Sequence, residues 1–92
     1  MPITVSIPTI MRPITKGEKR VQAQGATLAA VIADLEANYP GLAAKLLEDG
    51  KLKRYVNIYV DDEDVRFTGG LDAEVPEGGS ITILPAVAGG AR

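Results

Sequence analysis

The stretch 27-TLAAVIADLEANYP-40 places Leu28, Val31, Ile32, Leu35 and Tyr39 at helical spacing, with Asp34, Glu36 and Asn38 largely off that stripe. Thr27 is suited to cap the first turn, although Ala30 in the third position means there is no capping box. Pro40 disfavours helical backbone at Tyr39, so the helix is expected to end there. A second short helix is expected over 42-LAAKLLED-49, where Leu42 stacks on Leu46 and Ala43 on Leu47, with Gly50 as its stop.

Outward from this helix, the pattern changes to a period of two. In 3-ITVSI-7 the apolar Ile3, Val5 and Ile7 alternate with Thr4 and Ser6, as in a half-buried strand. Pro8 and Pro13 interrupt the run, Lys16-Gly17 marks a turn, and a weaker strand follows over 18-EKRVQA-23, giving a hairpin with a long loop. On the far side, 55-YVNIYV-60 sets Val56, Ile58 and Val60 on one face and Tyr55, Asn57 and Tyr59 on the other. The acids Asp61, Asp62, Glu63 and Asp64 are expected to turn the chain into a short strand at 65-VRF-67, and the last strand is 81-ITIL-84, stopped by Pro85.

Strands, a helix, then strands again imply an α+β fold: one mixed sheet of four to five strands with a main helix across one face. If the first and last strands pair in parallel at the centre, the fold is a β-grasp, the ubiquitin-like architecture; order alone leaves that pairing open. The expected division is a β-grasp domain over 1–86 and a flexible tail over 87–92.

Composition narrows the chemistry. With 92 residues, 46% of them hydrophobic and 24% charged, the chain suits one small soluble domain. A net charge of −2 argues against nucleic acid as the main partner. The absence of an apolar run long enough to cross a bilayer, and of a signal-like start, leads to the expectation of a cytoplasmic protein. There is no Cys and no His, hence no disulfide, no thiolate nucleophile and no imidazole base or ligand. Neither Ser6 nor Ser80 stands in a nucleophile elbow. An intrinsic catalytic site is therefore not expected, nor is a metal. The acidic run 61-DDED-64 lacks the alternating ligands and the glycine of a calcium loop and reads as a solvated turn, and 51-KLKR-54 reads as a solvated connection or a partner contact.

Three glycine pairs remain. Gly69-Gly70 and Gly78-Gly79 lie between expected elements, where turns call for positive φ. No element follows Gly89-Gly90, so backbone geometry gives no reason for that pair. A functional reason is available: glycine presents no side chain to a narrow channel, and an extended tail from Ala86 to Gly90 reaches about 15–17 Å into a partner's site.

The ending 81-ITILPAVAGG-90, following the turn 76-PEGG-79, resembles the C-terminus of the ubiquitin-like sulfur-carrier proteins of the MoaD/ThiS type. The stretches 55-YVNIYVDDEDVRFTGG-70 and 3-ITVSIPTIMRP-13 are most similar to the CysO-type carriers of the thiocarboxylate route to cysteine. The resemblance implies a carrier, not an enzyme, that binds no cofactor of its own. Its Gly90 carboxylate would be adenylated with ATP by an E1-like adenylyltransferase/sulfurtransferase and converted to a thiocarboxylate. Val87, Ala88, Gly89 and Gly90 would enter the partner's active site. The thiocarboxylate would pass sulfur to a cysteine-synthase-like enzyme, and a metallopeptidase of the JAMM type would release the product. The family pattern ends at the second glycine, whereas Ala91-Arg92 follows here, so either a peptidase cuts between Gly90 and Ala91, the favoured reading, or the two residues are foreign to the mature protein. Alternative readings are a protein modifier joined to lysines, and a sulfur donor for molybdopterin, thiamine or a secondary metabolite. Tyr59 and Phe67 are candidate docking anchors on the sheet, or caps on the edge of a small core.

Overall fold

The alternation of branched apolar and polar residues builds five strands into one sheet, and the computed structural model describes residues 2–54 and 56–85 of it. Strand β1 (Ile3–Ser6) pairs antiparallel with β2 (Arg20–Ala23), with Val5 opposite Val21. Its other edge pairs in parallel with the last strand, β7 (Ser80–Pro85), with Val5 opposite Ile81. β7 in turn runs antiparallel to β5 (Val56–Val60), which carries the short β6 (Glu63–Asp64) on its far side. The order is β2-β1-β7-β5-β6. The first and last strands thus lie side by side and parallel near the centre, and the fold is a β-grasp.

One face of this sheet is the core. Ile3, Val5, Val21, Ala23, Val56, Ile58, Ile81 and Ile83 are all buried there. Helix α1 (Leu28–Asn38) covers them with the stripe Leu28, Val31, Ile32 and Leu35, buried in the same cluster, each burial of this kind contributing about 1.5–3 kcal/mol. Thr27 caps the helix, its hydroxyl accepting from the Ala30 N–H at 3.3 Å, and Tyr39 closes it in a non-helical conformation, as the Pro40 rule anticipates. In the loop between β1 and β2, Met11 and Thr15 are buried, and the Thr15 hydroxyl lies within bonding distance of the Arg12 and Glu18 carbonyls at 3.3 and 3.0 Å.

Four expectations are corrected. The second helix, α2, spans only Leu42–Leu46. Leu47–Glu48 is a strand, β3, that pairs with β4 (Lys51–Leu52). Asp49 and Gly50 join them with φ of 56° and 76°, the left-handed pair of a tight hairpin, which outweighs helical stacking of Ala43 on Leu47. Residues 65-VRF-67 form a 3-10 turn, not a strand, because the reversal comes earlier: Asp61 and Asp62 take φ of 50° and 73°, and Glu63–Asp64 supply the pairing. β2 begins at Arg20, with the Lys19 carbonyl already accepting from Ile7 N–H. Finally, Gly79 is glycine for closeness rather than for positive φ: a Cβ there would stand 2.9 Å from the Pro76 carbonyl oxygen and 3.2 Å from the Asp61 carboxylate.

Candidate functional site

The site is the end of β7 and the surface around it. β7 continues through Pro85, one residue beyond the expected stop, and Pro85 stands opposite Val56. The bond from Asp61 N–H to the Ser80 carbonyl, 2.9 Å, fixes the alternation of the ladder, and Val56 and Pro85 fall on a non-hydrogen-bonded pair. Proline's missing N–H therefore removes no bond to β5, and the strand stays paired to its last described residue. The tail thus starts from the rigid sheet. Val87, Ala88, Gly89, Gly90 and Ala91, singled out by sequence, lie outside the described residues.

Around this root the outer face of the sheet is largely polar, with Thr4, Ser6, Gln22, Asn57 and Thr82 pointing away from the core. Leu84 is the exception, an apolar residue 49% exposed. It shares a shallow depression of about 270 Å³ with Tyr59, Asp62 and Thr82, and Tyr59 lies opposite Thr82 across the β5–β7 ladder. Tyr59 thus belongs to the sheet face beside the tail. Phe67 stands apart from that depression on the Val65–Phe67 turn and is 86% exposed, so its ring covers none of the core; Val65 is the buried member of that turn. Sequence reasoning overlooked Leu84, although the signal was present: Ile81 and Ile83 face inward, so an apolar residue at 84 must face out.

The acids of 61–64 are engaged locally. The Asp61 carboxylate accepts from Ser80 N–H at 2.9 Å, and Asp64 accepts from Arg66 N–H at 2.9 Å. Among the described residues, no group of three or more acids, His or Cys is placed to hold a metal ion. Arg66 spreads its guanidinium over the free edge of β5, donating to the carbonyls of Arg54 and Val56 at 3.2 and 3.3 Å and to Asn57 Oδ1. The Ser80 hydroxyl also donates to the Asp61 carboxylate, a long bond of 3.4 Å at the exposed start of β7. The described residues form a firm platform with a strand end at its rim.

A family model for the ThiS family matches residues 5–90, ending at the second glycine of the terminal pair. The chain belongs to the ThiS family. Among ThiS-family relatives, the sulfur carrier protein CysO of Mycobacterium tuberculosis is 62% identical over 98% of this chain and all of its own length. The CysO of Amycolatopsis orientalis, solved in a BexX/CysO complex, superposes with a TM-score of 0.92 at 58% identity, covering 96% of this chain and 99% of that one. Small archaeal modifier protein 3 of Haloferax volcanii is 38% identical over 71% of each chain. The CysO relatives are named as carriers rather than enzymes, and no helix among the described residues is long and apolar enough to cross a membrane.

Proposed function

We propose that this chain is a sulfur carrier whose Gly90 carboxylate is the reactive group. A carboxylate is a poor electrophile at neutral pH, so an E1-like partner would join it to the AMP moiety of ATP, releasing pyrophosphate. Sulfide, or a persulfide whose S–S bond a thiol then cleaves as a disulfide forms, displaces AMP and leaves the thiocarboxylate, in which sulfur replaces one carboxylate oxygen. That group is ionised near neutrality and nucleophilic, and delivers its sulfur to an acceptor enzyme. The observation that carries the reading is the family match, which runs past the last described strand residue, Pro85, and ends at Gly90. The missing Cys and His fit it as well, since activation and transfer take place in the partners' sites.

Identity to CysO over nearly the whole chain favours cysteine as the product, with a cysteine-synthase-like acceptor and a JAMM-type peptidase to release it. Ala91-Arg92 must be removed first, because the Gly90 carboxyl is otherwise held in a peptide bond. The test is intact mass. The chain ending at Gly90, incubated with its activating enzyme, ATP and a sulfide source, should gain the difference between one sulfur and one oxygen. The chain retaining Ala91-Arg92 should not. A second reading, conjugation to lysines, draws on the resemblance to an archaeal modifier protein. High-mass conjugates without the oxygen-to-sulfur gain would favour it over the carrier.

A further inference from the structure

Between the β3–β4 hairpin and the turns at Val65–Phe67 and Gly70–Asp72 lies an open groove of about 480 Å³. Leu52 and Leu71, both partly buried against the core, form its apolar part, and Lys51, Lys53, Arg54 and Arg66 line it with positive charge. Among the described residues no carboxylate lines it, although the chain as a whole carries a net charge of −2. Glu48 opposes Lys51 across the hairpin, so the charge concentrates on Lys53, Arg54 and Arg66. The groove is anchored beside the root of the tail. Arg66 bonds to the carbonyls of Arg54 and Val56, and Val56 is the partner of Pro85.

We propose that this groove docks an acidic, amphipathic segment of the proteins that take the C-terminal tail. An apolar side chain of that segment sits on Leu52 and Leu71, and flanking carboxylates pair with Lys53, Arg54 and Arg66. Charge complementarity selects the occupant. A compact phosphate wants several donors converging on one point, whereas these cations flank an apolar patch and Arg66 already spends donors on backbone carbonyls. A peptide with acids on either side of an apolar residue matches the spread, and its position makes an enzyme approaching the tail meet the groove. The inference rests on the carrier reading, which is what sends the tail from one protein to the next.

The test has two arms. In the first, the isotope-labelled chain is titrated with a short peptide of Glu and Leu, with its Lys and Leu counterpart, and with inorganic phosphate. The acidic peptide should shift the amides of 51–54, 66, 70 and 71, and the other two should not. The Lys53→Glu/Arg54→Glu double variant should abolish the shifts. Shifts confined to the Tyr59–Leu84 face, or produced equally by phosphate, overturn the proposal. In the second arm, loading of the tail by the activating enzyme is followed by intact mass as the carrier concentration rises. The double variant should raise KM about tenfold and leave the final mass gain on loading unchanged. Superimposable curves overturn the docking role. If neither protein gains sulfur, the carrier reading fails, and the peptide arm still decides the groove. Should the double variant misfold, the wild-type peptide affinity decides: it should fall several-fold from low to physiological salt, and a flat response overturns the proposal.

Discussion

Glu36 shows how one side chain replaces a missing cap. The residue before helix α2, Gly41, has φ of 101° and no side chain to bond the helix's first amides. The carboxylate of Glu36, reaching over from the last turns of α1, accepts from Gly41 N–H at 3.1 Å through each oxygen and from Ala43 N–H at 2.9 Å. These amide bonds, that of Ala43 first, hold its pKa below the ordinary 4.5. A lowered folded-state pKa means the contribution is in full force above the unfolded value and is lost as pH falls through the folded one. Glu36→Gln should therefore lower Tm at pH 7, and the gap to the parent should close as acid protonates the parent's carboxyl. Thermal melts across that range check it, and a gap that stayed constant down to low pH would count against the charge as its cause. Sequence placed Glu36 off the apolar stripe of α1 but gave no hint of this bond, because its partners lie across the Pro40 turn, whose geometry no helical periodicity records.

The hairpin β3–β4 makes the same point for elements. Sequence periodicity identified α1, β1, β5 and β7 because each buries a full stripe or face, and burial is what periodicity encodes. Leu47 and Leu52 are only partly buried, so the strands Leu47–Glu48 and Lys51–Leu52 leave little periodic signal. The information lay in the turn, since Asp-Gly is a strong hairpin signal that was read instead as a helix stop. The same local chemistry at Asp61-Asp62 brought the reversal forward and displaced the expected strand at 65–67. If the turn holds the hairpin, Gly50→Ala should have a local effect. Space is open around Gly50, so the cost is that of the left-handed backbone alone, about 1–2 kcal/mol. The Lys53 amide, bonded to the Leu46 carbonyl at 2.9 Å, should lose hydrogen-exchange protection while the Tyr59 and Leu84 amides, on hydrogen-bonded pairs of the β5–β7 ladder, keep theirs. Uniform loss across the sheet would show that the hairpin is not an independent opening unit.

In the whole molecule, folding and function divide at the end of β7. Buried residues of the core run from Ile3 to Ile83, and the parallel pairing of β1 with β7 ties the two ends of that span into one sheet. The parallel pairing could not be read from element order, since the contact joins residues far apart in sequence and no local pattern records its direction. The terminal glycines stand out in the sequence for the opposite reason, since no expected turn or core element calls for them, and their chemistry is what the proposed function assigns. The surface is the least legible part: sequence offers 51-KLKR-54 as a candidate contact, but the exposure of Leu84 and the joining of Arg66 to Lys53 and Arg54 around one groove arise from strand facing and loop placement. The division predicts a clean separation. A chain ending at Pro85 should keep the urea midpoint and the m-value of the full chain, because neither buried area nor sheet pairing among the described residues changes. It should have lost all capacity to gain sulfur. Ile83→Ala in the otherwise complete chain should do the reverse, costing about 2–5 kcal/mol from a site only 2% exposed while still loading sulfur wherever it remains folded. Paired denaturation and intact-mass measurements on the two proteins decide it. A truncated chain with a markedly lower midpoint would mean that the tail contributes to the fold, and the separation would fail.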